Sequence, residues 1–423
     1  MFIIYDLIAF IFTLIYLPIY LFKGKFHRGF LNRLGFLPPV EKLNRPIWIH
    51  AVSVGETLVI RDLLSQLRSV YPEKQFVIST VTPTGHKIAE GLITKTDLLI
   101  YLPLDFSFIV SSVIRRIKPS LVVIAETEIW PNFISCLYQN KIPVVIVNGR
   151  ISDSSFGGYR KIKFLIRPVL NKVSLFCVQA LQDSFRLKAL GVAIDKIKIS
   201  GNMKFDIKTD SRSAQDYSVY RQELQISEQD SLLVAGSTHA GEEEALIDVY
   251  KRLLNDFPRL KLLIAPRHTQ RSQQLGQVIS NAGFRPVFIS TAIKECPSCC
   301  ARSVFVLDEI GRLLDFYNAA DIVFVGGSLV KKGGHNILEP ASLKKPVVFG
   351  PQMFNFRDIA NLFLEHHAAL KALDVNDLEL KIRELLSNKE FARQMGQRAF
   401  SLLEQSRGAT TRNLELIKNL IRS

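Results

Sequence analysis

Residues 333–340 read Gly333-Gly334-His335-Asn336-Ile337-Leu338-Glu339-Pro340 and follow an apolar run, Ile322-Val323-Phe324-Val325. Glycines let a backbone approach a phosphate, and a helix N-terminus turns unpaired N–H groups and partial positive charge toward it. Glu339 stands where a carboxylate can accept hydrogen bonds from a pair of sugar hydroxyls. The segment therefore reads as a nucleotide-sugar pocket. It also reads as a plain helix start, with Asn336 and Glu339 as a capping pair and Pro340 in the first turn.

Other strand-like runs end in polar residues of the same kind. His50-Ala51-Val52-Ser53-Val54-Gly55-Glu56 leads straight into an amphipathic stretch. Gly55 permits close approach, and the helix dipole favours an ionised Glu56, which could then take a proton from a hydroxyl nucleophile. The plain alternative is a glutamate in a first helical turn. Glu126-Thr127-Glu128-Ile129-Trp130-Pro131-Asn132 places two carboxylates behind a buried run. Unpartnered, they would be costly to desolvate, so one reads as structural and the other as ordering an acceptor or a developing charge. Lys204, in Gly201-Asn202-Met203-Lys204, could meet a phosphate or carboxylate, or simply be a solvated linker residue. Ala235–Glu244, Pro266-Arg267-His268 and Asp308–Arg312 follow further apolar runs, and an arginine there can fork onto a phosphate. Together with 333–340 they make four polar loops that can converge on one ligand.

Such loops need a frame. Short apolar runs alternate with helical stretches from residue 46 onward: 46–53, 75–81, 98–102, 121–125, 144–148, 175–179 and 196–200. Several are nearly continuous rather than alternating, as expected for parallel strands covered on both faces. Helical periodicity falls between them, for example over Glu56–Leu67 and Phe108–Ile117. The rhythm breaks in the polar stretch Asp206–Asp230. It resumes with runs at 231–236, 260–265, 286–290, 304–307, 322–325 and 347–349, and everything after Leu373 is helical in pattern. The expectation is an α/β protein: two doubly wound halves facing each other across a cleft, with ligands at the carboxyl ends of the strands.

Length supports two domains of about 200 residues each. Met1–Phe22 carries a single charge, Asp6, and is followed by Lys23, Lys25, His27, Arg28 and Arg33. Leu7–Phe22 would reach about 24 Å as a helix, against a hydrocarbon core of about 30 Å. A short tilted anchor and a deep interfacial helix both fit, with the basic flank on the cytoplasmic side; the alternative is a helix buried against the first domain. A signal peptide would carry its positive charge first. The net charge of +15 is scattered through both halves without a basic–aromatic stacking pattern, which favours anionic lipid and acidic substrates over nucleic acid. Cys296, Cys299 and Cys300 lack a second Cys/His pair to close a zinc site and read as a reduced loop.

The motifs His50–Glu56, Glu126–Asn132, Gly201–Lys204, Ala235–His239, Pro266–His268 and Gly326–Pro340 occur in one order along almost the whole chain. In that series the chain resembles the Kdo transferases, which attach 3-deoxy-D-manno-octulosonic acid (Kdo) to lipid A precursors. The resemblance implies a GT-B-like fold of two Rossmann-type domains and an N-terminal membrane-anchor helix. It implies residues 1–22 as the anchor, 23–210 as an acceptor-binding domain, and 211–423 as a CMP-Kdo-binding domain with C-terminal helices. It further implies inverting transfer from CMP-Kdo to lipid IVA at the cytoplasmic face of the inner membrane, without metal or other cofactor. Glu56 matches the family's catalytic base, and Glu126 and Lys204 match residues supporting the transition state. Pro266 and Arg267, the loop Ile310, Gly311 and Arg312, and Asn336, Ile337, Leu338 and Glu339 match segments that hold CMP. Arg312 stands where some relatives carry an acidic residue, and the cysteine cluster is outside the pattern. Rival readings are a UDP-sugar enzyme of the same architecture, a membrane-tethered nucleotide-binding scaffold, and a nucleic-acid binder.

Overall fold

The computed structural model describes residues 5, 6, 10, 29–38, 43–206, 218–292 and 302–422. Among them, two parallel sheets of seven strands form. The first contains β1 (Ile47–His50), β2 (Phe76–Thr80), β3 (Leu98–Tyr101), β4 (Leu121–Ala125), β5 (Val144–Gly149), β6 (Leu175–Val178) and β7 (Ile197–Ile199). The second contains β8 (Ser231–Thr238), β9 (Leu260–Pro266), β10 (Arg285–Phe288), β11 (Ser303–Val306), β12 (Ile322–Val325), β13 (Val347–Phe349) and β14 (Leu370–Lys371).

The apolar runs explain the layers. Side chains alternate across a strand, so each run feeds two cores. Trp48, Val122, Ile124, Val144 and Ile146 pack on one face of the first sheet. Ile47, Ile49, Leu121, Val123, Val145 and Val147 pack on the other. β-Branched residues on both faces are what a covered parallel sheet requires. Strand order decides where ligands can enter. In the first sheet the order is β3-β2-β1-β4-β5-β6-β7, and in the second β10-β11-β9-β8-β12-β13-β14. The winding therefore reverses between β1 and β4, and again between β8 and β12. A crevice opens at such a switch point, beyond the strands' carboxyl ends.

The chain divides differently from the sequence expectation of 23–210 and 211–423. One compact unit holds the chain through Asp206 together with everything from Ser406 onward; the other runs between them, Ile207–Gln405. The final helix, Ala409–Arg422, is thus part of the first unit rather than of the second. Its apolar stripe explains this, since Ala409, Leu414 and Ile417 are buried in the core that also holds Ile60, Leu63 and Leu67. Asp206, which looked like the start of a linker, accepts hydrogen bonds from Gly408 N (2.6 Å) and Thr410 N (2.5 Å) and so caps the returning helix. β14 is a second departure. Its two residues pair with β13 and are too short to register as a strand in the sequence. The expected anchor over residues 1–22 and the cysteine cluster lie outside the described residues, apart from Tyr5, Asp6 and Phe10. No helix among the described residues is long and apolar enough to cross a membrane.

Candidate active site

The switch point of the first sheet gathers Glu56, Glu126 and Lys204. β1 ends at His50, whose ring is buried; its Nδ1–H lies 3.1 Å from the carbonyl oxygen of Ser79, while Ser79 Oγ accepts from Trp48 Nε1 at 2.8 Å. Burial holds this imidazole neutral, with its pKa lowered to about 4. Ser53 then caps helix Val54–Val70, and Glu56 reaches back from the first turn. One Glu56 carboxylate oxygen accepts from Val52 N at 2.7 Å and the other from Ser53 Oγ at 2.8 Å. This is a capping box displaced by one residue.

The sequence reading held Glu56 ionised by the helix dipole. The structure reverses that balance. Burial raises the Glu56 pKa to about 7; the bonds from Val52 and Ser53 oppose the rise, and the charges of Glu126 and Glu128 add to it. Desolvation wins because Glu56 as a residue is only 7% exposed and two donors cannot replace a hydration shell. A carboxylate near neutrality is suited to general base catalysis, where the pKa should lie close to the working pH.

Glu126 leaves β4 with a left-handed backbone, φ +57°. Its side chain meets Lys204 Nζ at 3.3 Å. Lys204 lies in the single turn Met203–Phe205, whose start is capped by Asn202 and pinned by a bond from Met203 N to Asn148 Oδ1 (2.9 Å). The linker alternative for Lys204 thus gives way to a held cation. Burial, then the Glu126 charge, raises the Glu128 pKa. Thr127 ties the loop to Arg150 by accepting from its backbone N–H at 2.9 Å.

At the second switch point, three of the four expected loops converge. His239 after β8 and His335 after β12 share a hydrogen bond between their Nε2 atoms at 2.9 Å, and His239 meets His268 edge-on with centroids 6.0 Å apart. One Nε2 must donate and the other accept, so the accepting ring is neutral. Burial, with the positive charge of Arg267, lowers the His335 pKa to about 4. Arg267, exposed just beyond Pro266, holds its backbone by donating to Thr238 O at 2.9 Å. Its charge also opposes the rise that burial imposes on the Glu339 pKa.

Some expected contacts take other forms. Asn336 lies one residue before the N-cap of the one-turn helix Leu338–Ser342 and braces its start: its Oδ1 accepts from Leu338 N, and its Nδ2 donates to Glu339 Oε1, both at 3.1 Å. Ile337 and Leu338 are fully buried. Gly333 and Gly334, read as room for a phosphate, make room within the protein instead. A Cβ on Gly334 would sit 2.1 Å from Met353 Sδ, and one on Gly333 would sit 2.3 Å from Asn355 Nδ2. In the fourth loop, Arg312 forms ion pairs with Glu223 (2.6 Å) and Glu309 (3.1 Å) and lies over Phe316. Neighbouring Ile310 is 86% exposed and Gly311 has φ +93°.

The sequence reading missed Glu242. It is completely buried and accepts from Gly327 N (2.7 Å), Ser328 N (2.9 Å), Leu329 N (2.8 Å) and His239 N (3.0 Å). The glycine loop is therefore shaped by a carboxylate from the loop across the switch point. Its signal was a run of three acids at a helix start, which looks like ordinary first-turn bias. Glu243 is spent on Arg271 and Thr238. Among the described residues no cluster of His, Cys, Asp and Glu could hold a metal ion.

Residues 28–207 match the family model described as 3-deoxy-D-manno-octulosonic-acid transferase (kdotransferase). A 3-deoxy-D-manno-octulosonic acid transferase from Haemophilus influenzae is 35% identical over 92% of this chain and 89% of its own length. This chain belongs to the Kdo transferases. A second family member, from Chlamydophila psittaci, is 33% identical over 99% of the chain and 96% of its own. At the level of fold, a crystal structure of a glycosyltransferase from Rickettsia africae superposes with TM-score 0.58 at 13% identity, covering 90% of this chain and all of that one (100%). The fold of the Kdo transferase is thus GT-B-like, as its two doubly wound sheets indicate.

Proposed function

We propose that this Kdo transferase moves Kdo from CMP-Kdo to a primary hydroxyl of the lipid A precursor lipid IVA, by a single displacement that inverts the anomeric centre. The observation that carries the reading is Glu56: a buried carboxylate with a pKa near 7, at a switch point, with Lys204 and Glu126 paired beside it. Glu56 takes the hydroxyl proton as the oxygen attacks the anomeric carbon. CMP leaves as an anion, and its phosphate gains charge as the glycosidic bond breaks. Within the first unit Lys204 offers positive charge beside the base, and within the second Arg267 offers it to the donor's phosphate. Glu126 pairs with Lys204 at 3.3 Å. In this assignment the first unit takes the acceptor. The second takes CMP-Kdo through Pro266, Arg267, Asn336, Glu339 and the backbone of Ile337 and Leu338. The positive charge comes from side chains, so the proposal includes no metal and no cofactor.

Attachment to the cytoplasmic face of the inner membrane through residues 1–22 belongs to the same proposal. Its support is the apolar run with Lys23, Lys25, His27, Arg28 and Arg33 behind it. The deciding experiment is mass spectrometry of a tetra-acylated lipid A precursor after incubation with the protein and CMP-Kdo made in situ. A mass increase of one or more Kdo units is expected. No increase from folded protein in lipid or detergent, with turnover of a UDP-sugar instead, would overturn the assignment.

A further inference from the structure

Asp6 is the one charged residue in an otherwise apolar beginning, and it is not idle. Its carboxylate accepts from Ser107 N at 3.1 Å and Ser107 Oγ at 2.5 Å, at the first residue of helix Ser107–Ile117. It also accepts from Asn132 Nδ2 at 2.6 Å. Asn132 is fixed a second time. Its Nδ2 donates to Asp105 O at 2.6 Å, its backbone N to Asp105 Oδ2 at 3.1 Å, and Phe133 N donates to Asp105 Oδ1 at 2.8 Å. The Tyr5 side chain hydrogen-bonds to Asp105 in turn. Two adjacent residues of the chain's start are thereby latched onto the head of helix Pro131–Gln139.

That head is the far end of the acidic loop. Trp130, its cap, meets the His50 ring edge-on at 6.4 Å between centroids, and His50 ends the strand that leads into the helix carrying Glu56. The other end of the loop holds Glu126 and Glu128, whose charges act on Glu56. A carboxylate in a low-polarity stretch is expensive unless it is given donors. Here one carboxylate receives two backbone or hydroxyl donors and an amide donor, from two different helix starts. An apolar residue at position 6 would serve a purely greasy segment better, so the charge is placed for the latch.

We infer that Asp6 is a positioning residue for the transfer reaction: it holds the Glu126–Asn132 loop in register with Glu56 by way of Asn132. The inference rests on Glu56 being the base, and it makes seating of the first residues part of what assembles the acceptor side. Steady-state transfer by full-length protein tests it. Asp6→Ala should lower kcat by roughly 10- to 100-fold, the scale of a displacement of about 1 Å at a reacting group. CMP affinity should stay as in wild type. The midpoint of the pH–kcat profile should move to lower pH as Glu126 and Glu128 drift from Glu56. Asp6→Asn keeps an oxygen for Ser107 and Asn132 and should recover most of the rate. Asn132→Ala should reproduce the defect, and the double variant should be no worse than either single one. If Asp6→Ala is poorly folded, Ser107→Ala gives the same test from the other partner. A wild-type rate and pH midpoint in Asp6→Ala, or losses that multiply in the double variant, would overturn the inference. An inactive wild type would instead count against the proposed function.

Discussion

In a Glu56→Gln variant the buried carboxylate becomes an amide of the same shape. The amide oxygen still accepts from Val52 N, but the side chain can no longer take a proton. Transfer should fall by at least 10²- to 10⁴-fold, the usual span for loss of a positioned base. CMP affinity should be unchanged, because Glu56 belongs to the first unit. Stability should move the other way, and its size follows from the pKa. Burial raises Glu56 from its ordinary 4.5 to about 7. The difference, 7 − 4.5 = 2.5 units, corresponds to about 3 kcal/mol of disfavour for the charged form. The folded state therefore holds its proton over that interval while the unfolded chain has released it. Wild-type stability is undiminished below pH 4.5, declines as pH rises, and is lowest above about 7. Glutamine carries no such penalty.

Denaturant unfolding of wild type and Glu56→Gln at pH 8 and pH 5 reads this directly. The variant should be more stable by about 1–3 kcal/mol at pH 8, the lower end allowing for strain in the amide's second hydrogen bond. Most of the gain should vanish at pH 5. An equal or less stable variant at pH 8 would refute the claim that desolvation governs this residue. A variant that still transfers Kdo would refute its role as base. In the wild-type enzyme, kcat/KM should rise with pH through about 7, the value at which Glu56 ionises.

Lys204→Ala should cut kcat by roughly 10²- to 10³-fold with little effect on CMP binding, as expected for a donor felt mainly in the transition state; calorimetry and initial rates separate the two. Arg267→Ala should weaken CMP binding by roughly 10- to 100-fold, matching loss of a charge-assisted hydrogen bond. Arg312→Ala should leave CMP binding nearly unchanged, since its guanidinium is already held by Glu223 and Glu309; a loss comparable to that of Arg267→Ala would place Arg312 on the ligand. Glu242→Ala would leave four backbone N–H groups without a partner, two of them buried and two part-buried, and should destabilise the protein by on the order of 3 kcal/mol or more, visible as a lower unfolding midpoint.

Much of this architecture was legible in the letters because parallel strands buried on both faces need long apolar runs. Leu121–Ala125, Ile322–Val325 and Val347–Phe349 were placed to the residue. What the letters could not show was long-range closure. The helix Ala409–Arg422 has a clear apolar stripe, but a stripe names no partner, and only the cap from Asp206 reveals where it returns. The site divides similarly. Glu56, Glu126 and Lys204 were singled out from their place after apolar runs, and the structure brings Glu126 and Lys204 together. The Glu56 pKa was misjudged because dipole and burial oppose each other, and burial cannot be read from a seven-residue motif. His239 and His335 are 96 positions apart, so their shared hydrogen bond had no local signal.

Glu56 and Glu242 show why a buried acid beside a switch point is not by itself a base. Both follow the first strand at their switch point, both sit in a first helical turn, and burial raises the pKa of each. They differ in how their lone pairs are used. A carboxylate offers about four acceptor sites. Glu242 has four backbone N–H groups directed at it and is fully enclosed, so no site is left for a substrate proton. Glu56 accepts from Val52 N and Ser53 Oγ, which leaves about two sites open. Beside it, Gly55 is exposed, and a Cβ there would meet nothing closer than Ser53 Oγ at 4.0 Å. The same local design thus yields a scaffold where the donors are complete and, where they stop halfway, a carboxylate with acceptor sites open for the proposed role as base. Adding a donor to Glu56 tests that distinction. A Gly55→Ser variant whose hydroxyl reaches the carboxylate should lower the pH at which activity rises, and should lower kcat along with it. An unchanged profile, with the new hydrogen bond seen in a structure of the variant, would show that donor count does not set this residue's basicity.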